Sequence, residues 1–184
     1  MKDFEVFYNY YEFIKNENLR INISLNAQYI NFQHFQFQQN IPLTIKFCIE
    51  RDIYVHLASI AEACLGYLLY TKGETVYKEK YFDWKSNYMI DDFEICTVKV
   101  KNEPKEYGRD TTFNELIELA KNKKHLKKEL IDKIDSLRAK RNKIHFTNIN
   151  HTQNTVDDIV IIKPKEIEIA KTTLLDLYDE LRKL

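Results

Sequence analysis

The chain has 184 residues, 30% charged and 44% hydrophobic, with 28 Lys and Arg balanced by 28 Asp and Glu for a formal net charge of zero. A domain of that length buries roughly 70% of its unfolded surface and needs no metal or disulfide staple, and three Gly and three Pro are too few for a disordered, collagen-like or Gly-rich phosphate-loop protein. The charge balance excludes a whole-molecule field drawing the protein onto nucleic acid or an anionic membrane, so any anion site must be local.

At the amino terminus, Phe4, Phe7, Tyr8, Tyr11 and Ile14 recur at helical spacing and predict a first helix over residues 4 to 15. The start MKDFEVFYNYYEF has no basic-then-apolar signal architecture, and no run of about 18 apolar residues follows. The expectation is a cytoplasmic protein without a membrane partner. From Ile21 to Asn40, IxIxL alternation runs into a Phe/Gln stretch, and periodicity leaves helix and strand open, with helix the preferred reading.

After Pro42, the positions Ile45, Cys48, Ile49, Ile53, Leu57, Ile60, Ala61, Cys64, Leu65 and Leu68 form a long helical stripe, with a break expected near Arg51-Asp52 and a stop at Lys72-Gly73. Residues 74 to 110 read as an insertion. Aromatics (Tyr77, Tyr81, Phe82, Trp84, Tyr88) interleave with charges there, a β-like ICTVKV spans 95 to 100, and NEPKEYGRD reads as turn or loop. Thr112, with Glu115 three residues on, marks a capping box opening a helix at FNELIELAKNKKH. A further helix is expected from about Lys127 to Phe146, and TNINHTQNT reads as polar loop. DIVIIK at 158 to 163 is a candidate strand, and Pro164 is placed to open a last helix lined by Ile169, Ala170, Leu174, Leu177, Tyr178 and Leu181. Cys48, Cys64 and Cys96 are odd in number and lack CxxC spacing, so they read as small core residues in a reducing compartment.

The chemistry concentrates on the helix ending near Phe146. At about 100° per residue, Ile131, Ile134, Leu137 and Ile144 mark its buried face, and Arg138, Arg141, Asn142 and His145 fall inside that stripe. Asp132, Lys133, Ser136, Lys140 and Lys143 point away. Intervals of three, four and seven residues from Arg138 stack the polar groups along two turns. Unpaired buried guanidiniums cost several kcal/mol each, which leaves two readings. One is a wet cleft or subunit seam with a chemical task. The other is structural: the arginines pair with a carboxylate such as Glu62 on the long helix, and His145 caps a helix end.

LRAKRNKIHF, Leu137 to Phe146, resembles the signature of the HEPN family, in which an Arg, a gap of four to six residues and a His end a core helix. Arg138 and His145 match with six residues between them. Arg141-Asn142 matches the family's Arg-polar dipeptide, although only three residues separate Arg141 from His145, so the leading arginine is left open. The likeness covers about residues 42 to 184. It implies a single all-α, HEPN-like antiparallel helical bundle over 1–184, with residues 1–41 as an extension and 74–110 as a small irregular or β-like insertion.

The resemblance further implies a metal-independent, cofactor-free endoribonuclease whose site forms at a homodimer seam. His145 would transfer protons, Arg138 and Arg141 would bind phosphate and stabilise charge, and Asn142 would orient His145 or the phosphate. Toxin–antitoxin or antiphage-defence activity with an inhibitory protein partner follows from the same likeness. The Tyr that some family toxins carry two residues after the motif His is Thr147 here, which speaks against control by tyrosine modification. The alternative within the family is a non-catalytic module binding RNA, a nucleotide or a protein.

Between Lys121 and His145, ten Lys/Arg face three Asp/Glu. That is an RNA footprint with Lys124, Lys140 and Lys143 as candidate contacts, or else a solvated helix face. Tyr77, Tyr81, Trp84 and Tyr88 beside Lys78, Lys80 and Lys85 either stack on unpaired bases or, more commonly for such aromatics, pack the insertion onto its own domain. His56 and Glu62 read first as satisfied core or surface groups, and His34, His125 and His151 lack companions at metal-ligand spacing.

Overall fold

The computed structural model describes residues 3–90, 93–105, 110–144 and 162–184, with backbone alone at 83, 84, 86–90 and 93–97. The elements run α1 (Phe4–Tyr10), α2 (Glu17–Phe37), α3 (Leu43–Thr71), β1 (Tyr77–Ile90), β2 (Phe93–Pro104), α4 (Phe113–Lys123), α5 (Lys128–Ile144) and α6 (Pro164–Leu181). The fold is therefore all-α with one small antiparallel β insertion. Helix α3 is the central element, packing against α2, α4, α5 and α6. By length and composition alone it could cross a membrane, yet 61% of its most apolar window is buried inside the bundle.

Local chemistry explains most boundaries. The Asn16 side chain accepts from the Leu19 N–H at 2.9 Å and starts α2. The open stretch 21–40 is helix as far as Phe37, with residues 38–40 turning out of it, and its buried residues Ile23, Ala27 and Ile30 keep three- and four-residue intervals. Helix α3 runs unbroken through Arg51-Asp52 and closes with a Schellman arrangement. Glu74 N–H reaches Leu69 O at 3.0 Å and Gly73 N–H reaches Tyr70 O at 2.9 Å, with Gly73 at φ +74 where no Cβ opposes the turn. The capping box of α4 forms as expected. Thr112 N–H donates to Glu115 Oε2 at 2.8 Å, and Glu115 N–H donates to Thr112 Oγ1 at 3.3 Å. Pro164 opens α6, with Glu166 accepting from Lys163 N–H at 2.7 Å.

Four expectations are corrected. Helix α1 stops at Tyr10, and the chain turns so that Tyr11 and Ile14 enter the core, Tyr11 bonding to the Tyr178 hydroxyl at 3.3 Å. The described residues 3–41 are thereby tied into the bundle. Ile169 is exposed, because it falls about 140° from Leu174 around α6, whereas Ile167 and Thr173 join Ala170, Leu174, Leu177, Tyr178 and Leu181 inside. Cys48 is exposed, whereas Cys64 is a core thiol; burial pushes the Cys64 pKa above the usual thiol range. The segment 102–104 continues β2 where a loop was expected. The strand expected over 158–163 falls mostly outside the described residues, as do Phe146, Thr147 and His151, while Ile162 is buried.

The insertion is a long two-stranded hairpin, Tyr77 pairing with Pro104 and Ile90 with Phe93, with register shifts between Phe82 and Lys85 and between Ser86 and Tyr88. Among the described residues neither strand packs against a helix. Tyr77, Tyr81, Phe82 and Val100 stay exposed, so these residues do not pack the insertion onto the bundle; the side chains of Trp84, Tyr88 and Cys96 lie outside those described. Its root is held by Lys105–Glu115 at 2.6 Å and by Glu74, which accepts from His125 Nε2 and Lys123 Nζ, each at 2.8 Å.

Candidate functional site

Helix α5 carries the cluster because Leu130, Ile131, Ile134, Leu137 and Ile144 press one side of it into the core. On that side Arg138 and Arg141 emerge at the edge of the packing, with side chains 22% and 23% exposed. Arg138 turns back along its own helix, giving Nε and Nη2 to Asp135 Oδ1 at 2.9 and 2.8 Å, an interval of three residues that helices favour. Burial raises the Asp135 pKa, but the hydrogen bond and charge of Arg138, with Lys121 behind them, outweigh it and hold the carboxyl below the usual range.

Arg141 crosses to α3, its Nη1 donating to Glu62 Oε2 at 2.8 Å, while its Nε is buried without a hydrogen-bond partner. This is the pairing that the structural reading anticipated. Asn142 is exposed, a correction to its placement in the apolar stripe: at about 40° beyond Arg138 on the wheel it falls on the solvent edge. His145 lies outside the described residues.

Sequence reasoning missed Arg51, whose Nη2 donates to the Ile144 carbonyl at 3.1 Å. A cation at the last carbonyls of a helix satisfies an orphan acceptor and suits the helix dipole. The contact fixes the end of α5 immediately before His145, and no local pattern could reveal a partner 93 residues away.

The basic stretch is less cationic than its composition suggests. Lys121 pairs with Glu118 and Asp135, Lys123 with Glu74, Lys133 with Asp176 and Lys140 with Glu166. Among the described residues, Lys124, Lys127, Lys128 and Lys143 hold no ion pair. Lys124 is the left-handed cap of α4, φ 55, near the start of α5, whose first residue Lys128 is about three to four turns from Lys140 and Lys143. Of the three lysines proposed as RNA contacts, Lys140 and Lys143 are neighbours on α5, and Lys124 stands apart at the other end of that helix.

Two other described histidines differ in how they are satisfied: among the described residues His34 Nε2 is buried without a hydrogen-bond partner, whereas His56 is bonded. His56 Nδ1 donates to Asn26 Oδ1 at 2.6 Å, and burial pushes its pKa down. His34 borders a cavity of about 100 Å³ with Phe37, Glu50, Ile53, Pro164, Ile167 and Glu168; burial, reinforced by Lys171, lowers its pKa. No three His, Cys, Asp or Glu side chains among the described residues gather closely enough to hold a metal ion.

No family model matches the chain, and neither a curated protein nor a solved structure does. The arrangement itself offers two permanently charged, partly exposed guanidiniums on adjacent turns, each oriented by a carboxylate. Such a pair suits a phosphate or another multi-oxygen anion.

Proposed function

We propose that the protein is a HEPN-type, metal-independent endoribonuclease acting as a homodimer, of the kind that serves as a toxin or antiphage-defence effector under an inhibitory protein partner. The observation that carries this reading is the pair Arg138 and Arg141, held at the solvent edge of α5 by Asp135 and Glu62, seven and four residues before His145 in the sequence. Arg51 anchors the carbonyl just before that histidine.

In this reading His145 removes the proton from the RNA 2′-hydroxyl, and the freed oxygen attacks the adjacent phosphorus. The bond from phosphorus to the 5′-oxygen breaks, leaving a 2′,3′-cyclic phosphate, and the departing oxygen takes a proton to become a 5′-hydroxyl. Arg138 and Arg141 bind the phosphate and offset the charge that builds on its oxygens. Glu62 and Asp135 are positioning residues, and Asn142, exposed on the last turn of α5, orients the phosphate or His145.

One observation favours the alternative, a non-catalytic HEPN module binding RNA, a nucleotide or a protein: each guanidinium already has a carboxylate at 2.8 Å. Incubating wild type and His145→Ala with mixed RNA in EDTA separates the two. Cyclic-phosphate and 5′-hydroxyl ends from wild type alone are the expected result. Cleavage that persists in His145→Ala removes His145 from the mechanism. If neither protein cuts while both bind RNA and remain folded, the enzyme reading falls.

A further inference from the structure

Helix α2 and the first turn of α3 are unlike the rest of the chain. From Ile21 to Ile45 there is no Asp, Glu, Lys or Arg, whereas a chain 30% charged would place about seven there. The polar positions are Asn, Gln, Ser, Thr and a single His, His34. The inner side of α2 is accounted for by the core: Ile23, Ala27 and Ile30 are buried. The outer side carries Leu25, Tyr29, Phe32 and Phe35, each between 37% and 50% exposed and grouped on one side by their spacing.

Helix α3 extends this surface. Tyr29 donates to Asp52 at 3.4 Å, and Ile45 and Cys48, exposed two turns and one turn before Asp52, line the same side of α3. Charge depletion combined with exposed aromatics distinguishes the core of a protein interface from ordinary surface.

We propose that this face, Leu25, Tyr29, Phe32 and Phe35 of α2 with Ile45 and Cys48 of α3, is the surface on which a second copy of the chain docks. Two features select a second copy. The patch has no charge of either sign, so it can meet its own image across a two-fold axis without like-charge repulsion. Its size also fits: side chains of this type present about 150–250 Å² each when fully exposed, so the exposed fractions amount to roughly 400–500 Å² of apolar surface. A standard interface of about 800 Å² per partner, somewhat over half of it apolar, needs that amount.

The position connects the face to the candidate site. Asp52 borders the patch, and its neighbour Arg51 grips the Ile144 carbonyl at the end of α5, so the docking face and the motif helix are linked through adjacent residues of α3. The inference rests on the ribonuclease reading for the purpose of the seam, and its test is independent of cleavage.

Sedimentation velocity on the full chain at micromolar concentration should give twice the 22.1 kDa chain mass. Phe32→Glu should raise the dimer dissociation constant roughly thirtyfold or more, as loss of a central aromatic anchor does, with its helical circular dichroism retained. The milder Phe35→Gln should shift it in the same direction. Tyr81→Glu on the hairpin should leave the mass unchanged. A monomeric wild type, or folded Phe32→Glu and Phe35→Gln proteins that dimerise as tightly as wild type, would overturn the proposal. So would dissociation caused by Tyr81→Glu, which places the contact on the hairpin. If Phe32→Glu is monomeric and wild type cuts no RNA, the interface stands and the ribonuclease reading falls; if Phe32→Glu stays dimeric and cuts, the reverse holds.

Discussion

Replacing Glu62 by Gln removes a charge while keeping the shape of the side chain, and so tests whether Arg141 depends on its partner. With 23% and 27% of the two side chains exposed, the pair lies between exposed ion pairs, worth up to about 1 kcal/mol, and buried ones, whose breakage costs about 3–5 kcal/mol. The expected loss for Glu62→Gln is therefore about 2 kcal/mol. In a domain of this size each kcal/mol lowers the midpoint by about 2–4 °C, so Tm should fall by about 4–8 °C. Arg141→Gln alone should cost a similar amount. The double variant should cost less than the sum, with a coupling of about 1–2 kcal/mol, because it leaves no lone charge at the α3–α5 contact. Urea unfolding of the four proteins, followed by circular dichroism, measures all of these. A coupling below about 0.3 kcal/mol, the level at which independent sites simply add, would refute the claim that this ion pair joins the two helices.

Arg51→Ala should cost about 1 kcal/mol through loss of the cation at the end of α5, and hydrogen exchange should quicken in the last turn of α5 while the α3 core stays protected. Thr112→Ala should lose about 1 kcal/mol by opening the capping box of α4, read as a lower urea midpoint with an unchanged slope. Burial holds His34 and His56 below their ordinary pKa, so the unfolded chain binds more protons. Their contribution is complete above about pH 6.5, the unfolded value, and is lost as pH falls through the folded values. A His34→Gln/His56→Gln protein should therefore show a smaller loss of urea midpoint than wild type between about pH 7.5 and 5.5; equal slopes would refute this.

Where local chemistry sets the structure, the sequence was readable. The Thr112/Glu115 capping box, Pro164 at the start of α6 and the Gly73 stop of α3 each depend on residues within a few positions of one another. The apolar stripe of α5 likewise identified its buried side. Misreadings came at stripe edges, where one step of about 100° separates core from solvent: Asn142 and Ile169 were both placed inside and are exposed. Charge was misjudged for a different reason. The excess of cations between Lys121 and His145 is largely met by Glu62, Glu74, Glu166 and Asp176, which reach it from other elements. Glu62 was legible as a possible partner of the motif helix, whereas Arg51 at Ile144 was not.

The hairpin enters and leaves the bundle at one point, where Lys105 N–H meets Val76 O at 2.8 Å. To the helices, residues 77–104 amount to a stitch with closed ends, whatever its length. The bundle should therefore accept a hairpin that is shortened, lengthened or exchanged for a foreign module, because none of the core side chains of the helices relies on it. That makes this junction a natural graft point, where a reporter or affinity handle can replace the 28 residues of 77–104 without disturbing the ends of α3 and α4.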